Sequence, residues 1–162
     1  MLVGRGDVAA GEGMQPGRRA LGLQGLRGQA VQQDAVLLDR ARAVRQDRLA
    51  CTLERHLRAG VTVVDPASTL IEVDVEIGPD TVVEPATFLR GATRIGSGCH
   101  IGPLTTIVDG VFGDDCRAPH SYVVEATLQD GVGIGPFAYL RPGALLRTGA
   151  KAGTFVEIKN SD

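Results

Sequence analysis

Tryptophan is absent from this 162-residue chain, aromatic residues make up 4% of it, and only three residues are cysteine. No basic stripe interleaves with stacking side chains, and Lys and Arg (17) nearly balance Asp and Glu (19) for a formal net charge of −2. That balance gives no strong pull toward nucleic acid or an anionic membrane, so a nucleic-acid-binding function is excluded. No stretch approaches the ~18 apolar residues of a membrane span, and no charged region followed by an apolar run stands near Met1. The chain is therefore read as soluble and cytoplasmic, with no membrane partner.

What is abundant is order at a fixed interval. Ile71, Ile77, Val83, Leu89, Ile95, Ile101 and Ile107 stand six apart without a slip. A strand repeats at two and a helix at 3.6, so a sustained period of six implies coils in which one stripe always faces inward. This predicts an all-β solenoid, a parallel β-helix of hexapeptide repeats. Four residues after the stripe come small or β-branched side chains, Thr81, Thr87, Thr93, Cys99, Thr105, Cys116, Ala138, Ala144, Ala150 and Val156, which suit a narrow core. Glycine follows the stripe residue at Gly78, Gly96, Gly102, Gly113, Gly135 and Gly153, where a corner needs an unrestricted backbone, and Pro79, Pro103 and Pro136 stiffen the same corners.

The register slips and recovers. Phe112 comes five after Ile107, Ala118 and Val124 continue in sixes, and Leu128 follows by a step of four. Sixes then resume through Ile134, Leu140, Leu146, Ala152 and Ile158. Short steps read as tightened corners. Residues 60–162 suffice for about five coils of about eighteen residues, above the minimum of ~3 repeats.

Residues 1–33, rich in Gly, Arg, Ala and Gln, read as disordered or weakly structured. Residues 34–59 lack Gly and Pro and place Leu37, Leu38, Ala41, Val44, Leu49, Leu53 and Leu57 at helical spacing, which predicts a helical arm ended by Gly60. The solenoid would then occupy 60–162, incomplete at its C-terminal end.

Cys99 and Cys116 fall on the small inward position and read as buried small hydrophobes rather than a disulfide or metal ligands. His56 sits on the helix, and His100 and His120 are twenty residues apart in different coils. The gamma-class carbonic anhydrases, hexapeptide proteins that hold zinc, use a close pair of histidines plus a third. No such pair occurs here, so no metal site is expected. Glu72, Asp74 and Glu76 alternate with apolar residues as a solvated strand face does, which predicts no acid/base pair.

The segment from Ile134 to Asn160 stands out. Arg141 and Lys159 each follow a stripe residue and lie eighteen residues apart, one full coil. They should stack on one edge, about 4.8 Å apart by the spacing of a ladder. Two cations so close repel, and an anion between them, such as a phosphate, would relieve the strain. The same spacing also suits two independent surface cations.

In LERHLRAGVTVVDPAST, IGSGCHIGP, IGPFAYLRPG and TFVEIKNS the chain resembles a family, the bacterial bifunctional UDP-N-acetylglucosamine pyrophosphorylase and glucosamine-1-phosphate N-acetyltransferase. The resemblance covers about Leu53 to Asp162. It implies a left-handed β-helix that assembles as a homotrimer, acetyl-CoA as co-substrate, and transfer of acetyl to glucosamine 1-phosphate on the route to UDP-N-acetylglucosamine and peptidoglycan. It also assigns the amino-sugar phosphate to Arg141 and Lys159. The family's nucleotidyltransferase domain is not matched by residues 1–50, and its G-H-L-x-Y stretch, which carries the histidine base, is not in this sequence. No residue is therefore assigned as catalytic, and the resemblance implies a truncated member, inactive alone. The alternatives are a non-catalytic trimerising solenoid and a different hexapeptide acyltransferase.

Overall fold

The computed structural model describes residues 20–159, with helical side chains described from Ala35 onward, Arg45 excepted. Most of the segment expected to be weakly structured, 1–19, and the last three residues lie outside the described part. The chain forms two compact units, Met1–Ala43 and Val44–Asp162. Helix α1 spans Ala20–Arg58 and runs through both. It begins fourteen residues before position 34, where the sequence reading began it. Residues 20–33 are rich in Gly and lack a sustained apolar period, whereas the Ala, Leu, Gln and Arg among them are strong helix formers.

The helix ends as its residues dictate. Val61 N–H donates to His56 O (3.1 Å) and Gly60 N–H to Leu57 O (3.2 Å), while Gly60 takes φ +90°. This is a Schellman turn, in which a left-handed glycine satisfies the last carbonyls. In the second unit the end of α1 lies on the first coil. Thr52 and His56 are buried there, Leu53 packs against the core, and Arg55 Nη2 donates to Val73 O and Val75 O, both at 3.1 Å.

Beyond Gly60 the chain winds into a solenoid of about five turns with three parallel sheets, containing six, six and five strands. The first face runs from Thr62–Val63 to Lys151–Ala152, the second from Leu70–Ile71 to Glu157–Ile158, and the third from Glu76–Ile77 to Leu145–Leu146. Strands of two or three residues alternate an outward with an inward side chain, and the inward one is the hexapeptide stripe. Val83, Leu89, Ile101, Ile107 and Leu140 have no exposed surface.

The slipped register differs from the sequence reading. Val123, not Val124, is the buried stripe residue, and it pairs with Ile107 and Leu140 on the second face. The short steps are thus three of five residues, Ile107 to Phe112, Ala118 to Val123 and Val123 to Leu128, rather than a five and a four. Each turns through a residue in the left-handed region, Asp109 (φ 52°), His120 (φ 45°) or Glu125 (φ 45°). A four-residue step would leave one corner too few residues to turn, and dividing the deficit between two corners keeps every coil closed.

Among the glycines after the stripe, Gly102 takes φ +99°, the unrestricted corner expected, and a Cβ on Gly153 would meet nothing within 4 Å, whereas Gly78, Gly96, Gly113 and Gly135 have a different cause. A Cβ on Gly78 would lie 2.7 Å from the carbonyl carbon of Gly96, and one on Gly96 would lie 2.6 Å from that of Gly113. Close approach of consecutive coils, more than freedom at a corner, requires glycine here.

In several coils the small inward position forms polar bonds between turns. Thr81 Oγ1 donates to Gly96 O (2.8 Å) in the next coil and accepts from Cys99 N–H (3.1 Å). Thr105 repeats the pattern with Ala118 O (2.8 Å) and Ser121 N–H (3.3 Å). Cys99 and Cys116 are free thiols, buried as expected, yet they act as hydroxyl substitutes and not only as hydrophobes. Cys99 Sγ donates to Gly113 O (3.2 Å), and Cys116 Sγ donates to Gln129 O (3.2 Å).

Candidate functional site

Arg141 and Lys159 follow Leu140 and Ile158, which are direct partners on the second face. The two coils are joined there by Arg141 N–H donating to Ile158 O at 2.9 Å. The two cations therefore occupy equivalent positions in successive coils. Their side chains do not simply face each other. Arg141 Nη1 reaches diagonally to Glu157 Oε1 at 3.2 Å, with side-chain exposures of 40% and 58%. The carboxylate offsets part of the cationic repulsion that the spacing alone implied, and it holds the guanidinium on the second face. An exposed pair of this kind adds little stability.

Sequence reasoning missed Glu157 and Tyr139, although both stand inside the segments TFVEIKNS and IGPFAYLRPG. Tyr139 lies directly across from Glu157 and packs on Tyr122, with ring centroids 5.5 Å apart and tilted by 59°. The signal was parity. Residues two before Arg141 and Lys159 share their outward side of the strand. The result is a strip bearing an arginine, a lysine, a carboxylate and a phenol, which can bind a dianion and hydrogen-bond a polyol.

The histidines stand apart from this strip. His100 Nε2 pairs with Glu84 Oε1 at 3.1 Å on the first face, and His120 packs on Phe137 with ring centroids 5.7 Å apart. His56 is buried on α1, where loss of solvent and, next, the Arg55 charge push its pKa below 6.5. Among the described residues no three His, Cys, Asp or Glu side chains are grouped so as to hold a metal ion. No described helix is long and apolar enough to cross a membrane.

The second face and its flanking corner also carry apolar side chains in solvent. Leu104, Phe137 and Phe155 are 63%, 57% and 80% exposed, and the Phe137 and Phe155 rings stack at 5.1 Å and 9°. Phe88, Tyr122 and Tyr139 lie exposed beside them on the second face.

Three parallel faces wound from hexapeptide coils, with a cation at matching positions of two coils, define a hexapeptide-repeat β-solenoid protein. The repeat region is homologous to the C-terminal region of the GlmU proteins. It is 48% identical over 109 residues to the bifunctional protein GlmU of Thermotoga petrophila, an alignment spanning 67% of this chain and 24% of that protein. The corresponding proteins of Mycobacterium marinum and Mycolicibacterium smegmatis are 50% identical over 106 residues and 51% over 105, each covering 65% of this chain and 22% of the relative. The chain thus spans about a quarter of the length of the curated relatives it matches. No family model matches it.

Proposed function

We propose that the second face holds the sugar phosphate of an acetyltransferase site whose substrate is glucosamine 1-phosphate. The observation that carries this reading is the in-register placement of Arg141 and Lys159, together with the homology to GlmU. A planar guanidinium and a point-charge ammonium one coil apart complement the oxygens of a phosphate dianion. Glu157 keeps Arg141 aimed along the face, and Tyr139 offers a phenol to the sugar hydroxyls.

Acetyl transfer from acetyl-CoA requires the substrate ammonium to lose a proton before the amine attacks the thioester, and donors must meet the developing oxyanion. Among the described residues the strip supplies recognition, and no histidine joins it. His100 is engaged by Glu84, His120 by Phe137, and His56 is buried. Binding without turnover is therefore the expected behaviour of the 162-residue chain, in the cytoplasm, as part of a homotrimer.

The test is calorimetric binding of glucosamine 1-phosphate set against glucosamine. The phosphate ester should bind, and Arg141→Ala or Lys159→Ala should weaken it about tenfold or more, the loss of one charge-assisted bond. Equal binding of both ligands, or unchanged affinity in both variants, would end this reading. The exposed Leu104, Phe137 and Phe155 ridge favours a second one, a solenoid whose role is assembly with copies of itself. Sedimentation of Phe137→Ser/Phe155→Ser should then show smaller species than the parent chain.

A further inference from the structure

We propose that Cys99 and Cys116 form an oxidisable dithiol, a modification site at which a hydroperoxide joins two successive coils by a disulfide. The inference is independent of the acetyltransferase reading.

Both residues occupy the small inward position immediately before first-face strands that pair in register, His100 with Arg117 and Ile101 with Ala118. Cα atoms across such a ladder are about 4.8 Å apart, inside the 4.4–6.8 Å range a disulfide spans. Cys99 Sγ is directed toward the coil of Cys116, whose N–H donates to it at 3.3 Å, while Cys116 Sγ donates onward to Gln129 O and turns from that bond to reach Cys99. The environment also differentiates the two thiols. Hydrogen bonding between the two side chains, and then burial, pushes the Cys99 thiol up, whereas the same bond from Cys99 holds Cys116 below its usual value. Cys116 is thus the nucleophile and Cys99 the resolving thiol.

Cys116 thiolate attacks one peroxide oxygen, the O–O bond breaks, and the other oxygen leaves as water after taking up a proton. The sulfenic acid so formed on Cys116 is attacked by the Cys99 thiol, the S–O bond breaks, and a second water departs as the S–S bond forms. Two thiols are oxidised by two electrons in all, and one peroxide is reduced to two waters. The bonds lost are those to Gly113 O and Gln129 O, and these corner residues are half-buried and exposed respectively, so water can take over both carbonyls.

The experiment uses the full chain carrying Cys51→Ser, which removes the one exposed thiol. After native treatment with hydrogen peroxide, intact mass should fall by two hydrogens, alkylation should fail at both cysteines, and digestion should yield one Cys99–Cys116 cross-linked peptide. The thermal midpoint should rise and should return to its original value with dithiothreitol. Cys99→Thr in the same background keeps the fold, since Thr81 makes the same two bonds one coil earlier, and should give no cross-link while Cys116 accumulates sulfenic and sulfinic acid. Two results would overturn the proposal: both thiols remaining alkylatable at peroxide levels that oxidise the urea-unfolded chain, or sulfinic acid on both without a cross-linked peptide.

Discussion

Replacing Gly96 by alanine tests whether coil spacing, and not corner flexibility, dictates the glycine column. The new Cβ would lie 2.6 Å from both the carbonyl carbon and oxygen of Gly113 and would also meet Asp114 Oδ1. Unstrained carbon contacts lie near 3.5–4.0 Å, so backbone must move by about 1 Å. Asp114 Oδ1 accepts from Ser97 N–H at 2.7 Å, and that bond shares the disturbance. Overpacking against immobile backbone costs about 1–3 kcal/mol or more, which for a domain of this size lowers the thermal midpoint by about 10 °C. Gly133→Ala is the matched control. Its Cβ would meet nothing within 4 Å, and its φ lies outside the left-handed region. That change should stabilise by about 0.4–1 kcal/mol through the unfolded chain, raising the midpoint by a few degrees. Circular dichroism melts of the two variants and the parent suffice. Equal midpoints for Gly96→Ala and the parent, or equal losses in both variants, would refute the argument from coil spacing.

Thr81→Val keeps shape but strands Gly96 O and Cys99 N–H, so urea unfolding should show a loss of about 2–4 kcal/mol, and a neutral result would deny the polar column its role. His56 is held below its usual pKa of 6.5, so the unfolded chain takes up a proton that the folded chain refuses. Stability should be level above pH about 6.5 and fall as pH drops below it, and the urea midpoint of His56→Gln should lose that dependence. Arg55→Ala removes two bonds to the carbonyls of Val73 and Val75 and should speed amide exchange in the last turns of α1 while leaving coils beyond Leu89 protected.

The stripe from Ile71 to Ile107 was legible because a period of six has no competitor among helices and strands, and the placement of Arg141 over Lys159 followed from it. Val123 was not, because Val123 and Val124 are equally apolar and adjacent; only the pairing with Ile107 and Leu140 selects between them. Thr81 and Thr105 carry hydroxyls that matter as much as their size, which sequence hides because their carbonyl acceptors lie 15 and 13 residues away in the next coil. Glu157 was overlooked for a similar reason. Its contact with Arg141 is diagonal across two coils, and one-dimensional spacing marks only the residue directly opposite.

Thr81 and Cys99 each find a donor and an acceptor in the coil that follows. Each newly wound turn therefore presents an unfulfilled donor and acceptor, aimed along the axis, to the segment next in line. Winding is templated and has a direction, as growth on a crystal seed does. During synthesis from the N-terminus, every turn must wait for its successor before its polar rim is quenched, and a ribosome pausing within the repeats would hold that rim open to any other strand nearby.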